Sequence, residues 1–385
     1  MKKLNLLLCT SICALLVSGC SWFGGDDEEG EIQPAELVKF SQEATIKKQW
    51  SVNIGASNKD FWNSLRPAAS AELVFAADHK GKITAIDIAT GKSRWSTELD
   101  VLISGGVGYG AELVMVGTIE GEVYALNAAD GSVLWNSTVS SEILSSPQSN
   151  GQVVVVQTID NKLFALDASD GSAIWQHDDD APLLSVRGTS TPVVTDRMVL
   201  TGFDSGKIIA FNPENGSLIW EARMALPKGR TDLERMVDLD GSPLLVGDVI
   251  YAVTYQGRLG ALSRGTGRSL WFQDSNSYQT PAKSLEQIYV SEADSTVRAF
   301  RAGSGQVIWS NEGLFLRRVT SPAKLGGTIA VADAEGYLHL LDPIDGHFVA
   351  RTKVNGSGVS APMLTVGESL IVQSNNGALS AFKIQ

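Results

Sequence analysis

One feature leaves this chain few folds to choose from: a short motif that returns about every 40 residues. It reads small-apolar-acid, a tight turn, Gly, and then Trp four residues further on. Copies run from Ala85-Ile86-Asp87 to Gly91 and Trp95, from Ala125-Leu126-Asn127 to Gly131 and Trp135, and from Ala165-Leu166-Asp167 to Gly171 and Trp175. Later copies end in Gly216 and Trp220, Gly267 and Trp271, and Gly305 and Trp309. A seventh keeps Gly346 but has Ala350 in the Trp place. Fixed-period self-similarity of this length marks a repeat architecture, in which each unit buries its apolar face only against its neighbours.

Within one repeat, Leu73 to Ala77 is a short apolar run, Asp78 to Gly81 a turn, and Lys82 to Asp87 an alternating, half-buried strand. A second turn at Thr90-Gly91 leads into the strand that carries Trp95. Short strands separated by Gly/Asp turns read as consecutive antiparallel strands. An incoming strand is usually opened by Pro, at Pro67, Pro147, Pro192, Pro243, Pro281, Pro322 and Pro362. Proline at the first residue of a strand sacrifices no ladder hydrogen bond. Four strands in roughly 42 residues make one propeller blade.

The Trp positions set the blade number. The repeat Trp residues are Trp50, Trp95, Trp135, Trp175, Trp220, Trp271 and Trp309; Trp22 and Trp62 fall outside the register. Trp50 has no repeat before it, and the last repeat stops after Phe382 without reaching a Trp. Both oddities vanish if the N-terminal strand around Trp50 completes the final blade. The expectation is an all-β, eight-bladed β-propeller of four-stranded blades over residues 39–385, closed by that strand, with the indoles locking blade to blade. An open solenoid would need distinct caps at its two ends, and none is visible.

Residues 1–19 read as a signal peptide. Lys2-Lys3 precede an apolar stretch, Leu4 to Val17, that is too short to cross a bilayer. Val17-Ser18-Gly19-Cys20 resembles a bacterial lipobox, which implies cleavage before Cys20, lipidation of that residue and, with Ser21 following, the outer membrane as destination. Several acyl chains make a stable anchor where one does not. Cys9 and Cys13 leave with the leader, so the remaining chain has no disulfide, thiol chemistry or Cys-metal site. Residues 20–38, with Asp26-Asp27-Glu28-Glu29, read as an acidic tether that cannot bury enough surface to fold. Loss of Lys2 and Lys3 leaves 29 basic against 43 acidic residues, a net charge of −14, which argues against nucleic-acid binding.

The sequence offers no catalytic constellation, metal motif or cofactor motif. His79, His177, His339 and His347 have no metal-motif spacing; His79, in a turn, and His339, in a strand, each read as a surface or a satisfied core residue. Gly106-Val107-Gly108-Tyr109-Gly110 brushes against a dinucleotide fingerprint but lies between β-repeats, where it reads as a blade-entry strand or loop without the usual Pro. Asp238-Leu239-Asp240-Gly241 begins like a calcium loop and then lacks the remaining ligands. Two stretches break the repeat: Ala181 to Gly188, and Leu226 to Gly241 inside the longest Trp-to-Trp interval. Insertions in repeat folds map to loops on one face, often the binding face. Two readings stand. Either Leu184, Val186, Arg187, Asp238 and Asp240 form a partner-binding patch, or Arg187 and the two aspartates pair with each other to hold the loops.

The repeat resembles the blade motif of quinoprotein dehydrogenases, a resemblance that implies a quinone on the axis. That family's vicinal disulfide is missing here. Lipobox, acidic tether, eight Trp-type blades and the two loops together resemble the BamB family, lipoproteins of the outer-membrane β-barrel assembly machinery. That resemblance spans the chain and implies a non-enzymatic, periplasm-facing scaffold with no cofactor. It further implies that Leu184, Val186, Arg187, Asp238 and Asp240 contact the periplasmic POTRA domains of BamA, assisting delivery and insertion of outer-membrane proteins. Val186 stands where that family usually has Leu. A quinoprotein-like periplasmic dehydrogenase and an envelope-polymer binder are the alternatives.

Overall fold

The computed structural model of the protein describes residues 33–56 and 65–385. The expected signal peptide, Cys20, Trp22 and Trp62 lie outside the described residues. Among those described, 32 strands form eight four-stranded antiparallel sheets, with a single 3-10 turn at Leu233–Arg235. This is the eight-bladed, all-β propeller that the repeat calls for. Blades 1 to 7 cover residues 68–98, 103–138, 148–178, 193–223, 244–275, 282–311 and 323–353. Blade 8 combines residues 364–384 with the N-terminal strand Ile46–Asn53, which pairs antiparallel from Ile46↔Ile384 to Asn53↔Ala378.

Each blade's first strand is innermost and short, and it follows directly on the predicted Pro in six blades. Blade 2 differs: its inner strand, Ile103–Gly110, is the glycine run. A Cβ on Gly108 or Gly110 would collide with the carbonyls of Pro147 and Ser149 on blade 3, so these glycines allow a close backbone approach. The middle strands are apolar on both faces, as in Val153–Thr158, where every residue is buried. Eight apolar clusters result, one at each junction between neighbouring blades. Alternation along a strand sends successive side chains to opposite neighbours. A blade therefore has no core of its own.

The structure separates the two halves of the Gly–Trp motif. Asp87 closes the turn between the third and fourth strands by accepting the Thr90 N–H at 2.9 Å, and the Gly91 N–H returns to the Asp87 carbonyl at 2.8 Å. Gly91 sits there at φ +71°, which favours a residue without Cβ. Its six counterparts behave alike, and a Cβ on any of the seven would lie 2.4–2.7 Å from the indole of the preceding blade. Each of the seven indole N–H groups donates to a backbone carbonyl of the next blade at 2.8–3.0 Å. Trp thus faces forward and Gly faces back, so one motif serves two junctions.

Ala350 marks the eighth junction, between blades 7 and 8. Blade 8 has no turn between its third and fourth strands, because they come from opposite ends of the chain, and an indole would find nothing to dock on. The N-terminal segment fills the place. Phe40 stacks on Phe348 at 5.6 Å, Arg351 donates to the Val38 carbonyl at 2.9 Å, and the Glu43 N–H donates to the Val349 carbonyl at 2.8 Å. The chain is already docked at Ala35, whose N–H donates to the Phe315 carbonyl at 2.9 Å. Bound chain therefore begins at residue 35, four residues before the expected boundary at which the tether, ending at 38, gives way to the propeller at 39.

Candidate partner-binding site

The two stretches that break the repeat leave the ring from adjacent blades. Residues 179–192 connect blade 3 to blade 4, and residues 224–243 connect blade 4 to blade 5. Within the second, Thr231 and Glu234 cap the 3-10 turn reciprocally: the Thr231 N–H donates to the Glu234 carboxylate, and the Glu234 N–H to the Thr231 hydroxyl, both at 3.2 Å. Leu239 drops into the core between blades 4 and 5. That insertion turns the flanking aspartates inward, beneath the first loop.

Asp238 is completely buried, and its Oδ2 accepts the Val186 N–H at 2.7 Å. The Asp240 carboxyl packs on Gly188 so closely that a Cβ there would strike it. Ser242 Oγ donates to the Thr191 carbonyl at 2.9 Å. The second loop is thus the floor on which the first is fastened. Burial pushes the pKa of Asp238 up to about 6. Burial, with help from Asp204 and Asp238, raises Asp240 well above the carboxylate range. Asp204, buried beside them, is pushed up to about 7 by burial and by the charge of Asp238.

Both readings of the aspartates need correction. A surface patch that includes the Asp238 side chain does not exist, because that group is internal. Nor does Arg187 pair with the aspartates. Its guanidinium grips Glu142, from the connection between blades 2 and 3, with 2.8 Å to each carboxylate oxygen. The Arg187 side chain is half in solvent, and the pair contributes no more than ~1 kcal/mol. What the loop exposes is Leu183 at 88 %, Leu184 at 48 % and the stem of Arg187, while Val186 is half-buried. Leu226 and Leu233 on the floor are exposed as well.

Sequence reasoning missed Leu183, Leu226, Leu233 and Glu142. The leucines had a usable signal, apolar residues in segments without strand periodicity. Glu142 had none, being 45 positions from Arg187. Elsewhere, of the surface and core roles open to it, His339 takes the core one: Nε2 lies 3.0 Å from Asp333 and Nδ1 accepts Arg351 Nε–H at 2.9 Å. Asp342, Asp345 and His347 form the one His/carboxylate cluster of metal-ligand dimensions among the described residues. Both ring nitrogens of His347 are already occupied, by Asp345 at 2.6 Å and Glu43 at 3.0 Å.

The family described as "Outer membrane protein assembly factor BamB" matches residues 33–102, 100–311 and 294–385, nearly the whole of the described chain. The chain belongs to the BamB family. A curated BamB from Pseudomonas aeruginosa is 48% identical over 372 residues, covering 97% of each chain. The crystal structure of BamB from Moraxella catarrhalis matches with a TM-score of 0.82 at 27% identity, over 88% of this chain and 100% of that one. A europium-containing methanol dehydrogenase aligns with a TM-score of 0.69 at 14% identity, over 85% of this chain and 84% of that one, a likeness of fold alone. The BamB family and the dehydrogenases thus share the propeller, and the resemblance of the repeats reflects that shared architecture.

Proposed function

We propose that this BamB-family chain is a non-enzymatic scaffold of outer-membrane protein assembly, held to the outer membrane through Cys20 and facing the periplasm. Its 182–188 loop docks on the periplasmic POTRA domains of BamA. The observation that carries the reading is the construction of that loop: two leucines and an arginine presented outward on a backbone fastened from below by buried Asp238. Preorganised apolar anchors beside a charge are what a hot spot requires. The assembly role itself is carried by the shared name of the relatives.

The test is a solution titration of the unlipidated chain against the purified POTRA region of BamA. Leu183→Ala and Leu184→Ala together should weaken binding at least tenfold, about 1.4 kcal/mol. Asp238→Asn keeps an acceptor for the Val186 N–H and should bind normally, whereas Asp238→Leu should not. Arg187→Ala needs Glu142→Gln beside it, since loss of the ion pair alone would affect both. Normal binding by the double leucine variant would move the interface elsewhere.

A further inference from the structure

Residues 35–43 lie as a strap along blade 7, from the Phe315 carbonyl in the connection leading into that blade to the Val349 carbonyl in its outer strand. Two arginines hold carbonyls of the strap: Arg317 Nη1 donates to Ala35 at 3.1 Å, and Arg351 Nη1 to Val38 at 2.9 Å. Between the arginines runs a continuous file of polar groups. Arg317 Nε donates to Asp333 Oδ2 at 2.8 Å, the same oxygen lies 3.0 Å from His339 Nε2, and His339 Nδ1 accepts Arg351 Nε–H at 2.9 Å. Asp333 and His339 are completely enclosed, while Phe40 and Phe348 flank the Arg351 guanidinium at 5.0 Å each.

This order fixes the tautomer of His339. A guanidinium has donors only, so Nδ1 presents its lone pair to Arg351 and the ring proton sits on Nε2, aimed at Asp333. The ring is then neutral. A second proton has one place to go, Nδ1, and there it destroys the acceptor on which Arg351 rests and sets an imidazolium against a guanidinium. Asp333 is already paired with Arg317, and Glu335 reaches Arg317 alone. Tyr337 and Phe348, the rings beside His339, bring no carboxylate, and Lys353 lies over the far ring of Tyr337. Burial, with the two arginines, accordingly lowers the pKa of His339 against the pull of Asp333. His347 works the other way: it lies between Asp345 at 2.6 Å and Glu43 at 3.0 Å, and Asp345 above all raises its pKa. Acid leaves its tie to Glu43 intact.

We propose that His339 is a proton-operated latch for the N-terminal strap: protonation at Nδ1 turns Arg351 away from the ring and frees the Val38 carbonyl, so that acid undocks residues 35–43 while the eight blades stay closed. A histidine released from the latch regains its ordinary pKa of about 6.5. The undocked form therefore binds the extra proton more readily, and docking is complete above that pH and weakens below it. The latch stands apart from the proposed partner contact and does not depend on it.

The experiment is amide hydrogen exchange of the purified unlipidated chain from pH 7.5 to 4.5, read on the segment carrying the Ala35 and Glu43 N–H groups as protection relative to the intrinsic rate at each pH. Strand Val153–Thr158 is the reference for the ring. In wild type, strap protection should fall at least ~tenfold as pH drops below about 6.5, while the reference strand stays protected. His339→Gln offers an acceptor and a donor without a titrating proton, and should hold the strap equally across the range. Arg351→Met should leave the strap weakly protected throughout, with no further loss in acid; it decides alone if His339→Gln does not fold. Glu43→Gln should keep the acid step. Constant strap protection in wild type overturns the latch, as does a full acid step in His339→Gln or Arg351→Met. Loss of the step in Glu43→Gln would assign it to His347, and equal loss in the reference strand would mean the ring itself opens; either result overturns the latch as well.

Discussion

At the scale of single residues, the seven indoles are not interchangeable with the alanine that stands eighth. Trp135 and Trp309 each fill a junction, donate across it and cover a glycine. Truncating either to Ala should cost about 3–5 kcal/mol in urea unfolding. Restoring the apparent repeat by Ala350→Trp should destabilise by ~1–3 kcal/mol, because that alanine is completely buried and its junction is already filled. A gain in stability from Ala350→Trp would mean the site is an unfilled socket. The buried aspartates carry a second prediction. Asp204, raised from 3.8 to about 7, and Asp238, raised to about 6, hold protons in the folded state that the unfolded chain gives up near pH 4. Their contribution is therefore complete below about pH 4 and is lost as pH rises toward 7. His339, lowered by burial, acts oppositely, removing stability as pH falls below ~6.5. Asp204→Asn should match wild type near pH 4 and exceed it by ~1–2 kcal/mol at pH 7.5, each unit of raised pKa being worth at most ~1.4 kcal/mol. Parallel loss of stability in both proteins between those pH values would show that Asp204 ionises normally.

At the scale of strands and blades, the outer strand is where the fold faces solvent. Apolar residues one or two positions before the repeat Trp stay exposed in successive blades: Val133 and Leu134, Ile174, Leu218 and Ile219, and Leu270. An outermost strand also leaves its far-side backbone groups unpaired, a template for strand addition. Extended client chains should pair there transiently. Photo-crosslinkers at Leu134, Leu218 and Leu270 should capture unfolded outer-membrane proteins, while one at the outward-facing Ile344 in a turn should not. Equal capture at all four positions would point to simple apolar stickiness. The closing strand of blade 8 is an element of another kind. Among the described residues it is the only strand whose pairing joins the two ends of the propeller, and Trp50 ties it to the first blade at Ile88.

At the scale of the whole molecule, the ring was readable because the repeat states its rule seven times. Strand order, blade number and closure all follow from a Trp with no repeat before it and a repeat with no Trp. The meaning of Gly was not readable, since its partner indole belongs to the previous blade rather than to its own motif. The binding loop was half legible. Interruption of the period located both segments, but sequence cannot distinguish an aspartate that faces a partner from one that holds a loop underneath. Leu239 decides that by dropping into the core, and its apolar character was the available clue. The way the ring closes has one more consequence. The Gln385 N–H donates to the Thr45 carbonyl at 3.0 Å, so the two ends of the propeller are ladder neighbours in blade 8. Blade 4, which carries the 182–188 loop, is half a turn away. A circular permutant opened elsewhere would keep every blade while moving, around the ring, the point at which the chain enters it.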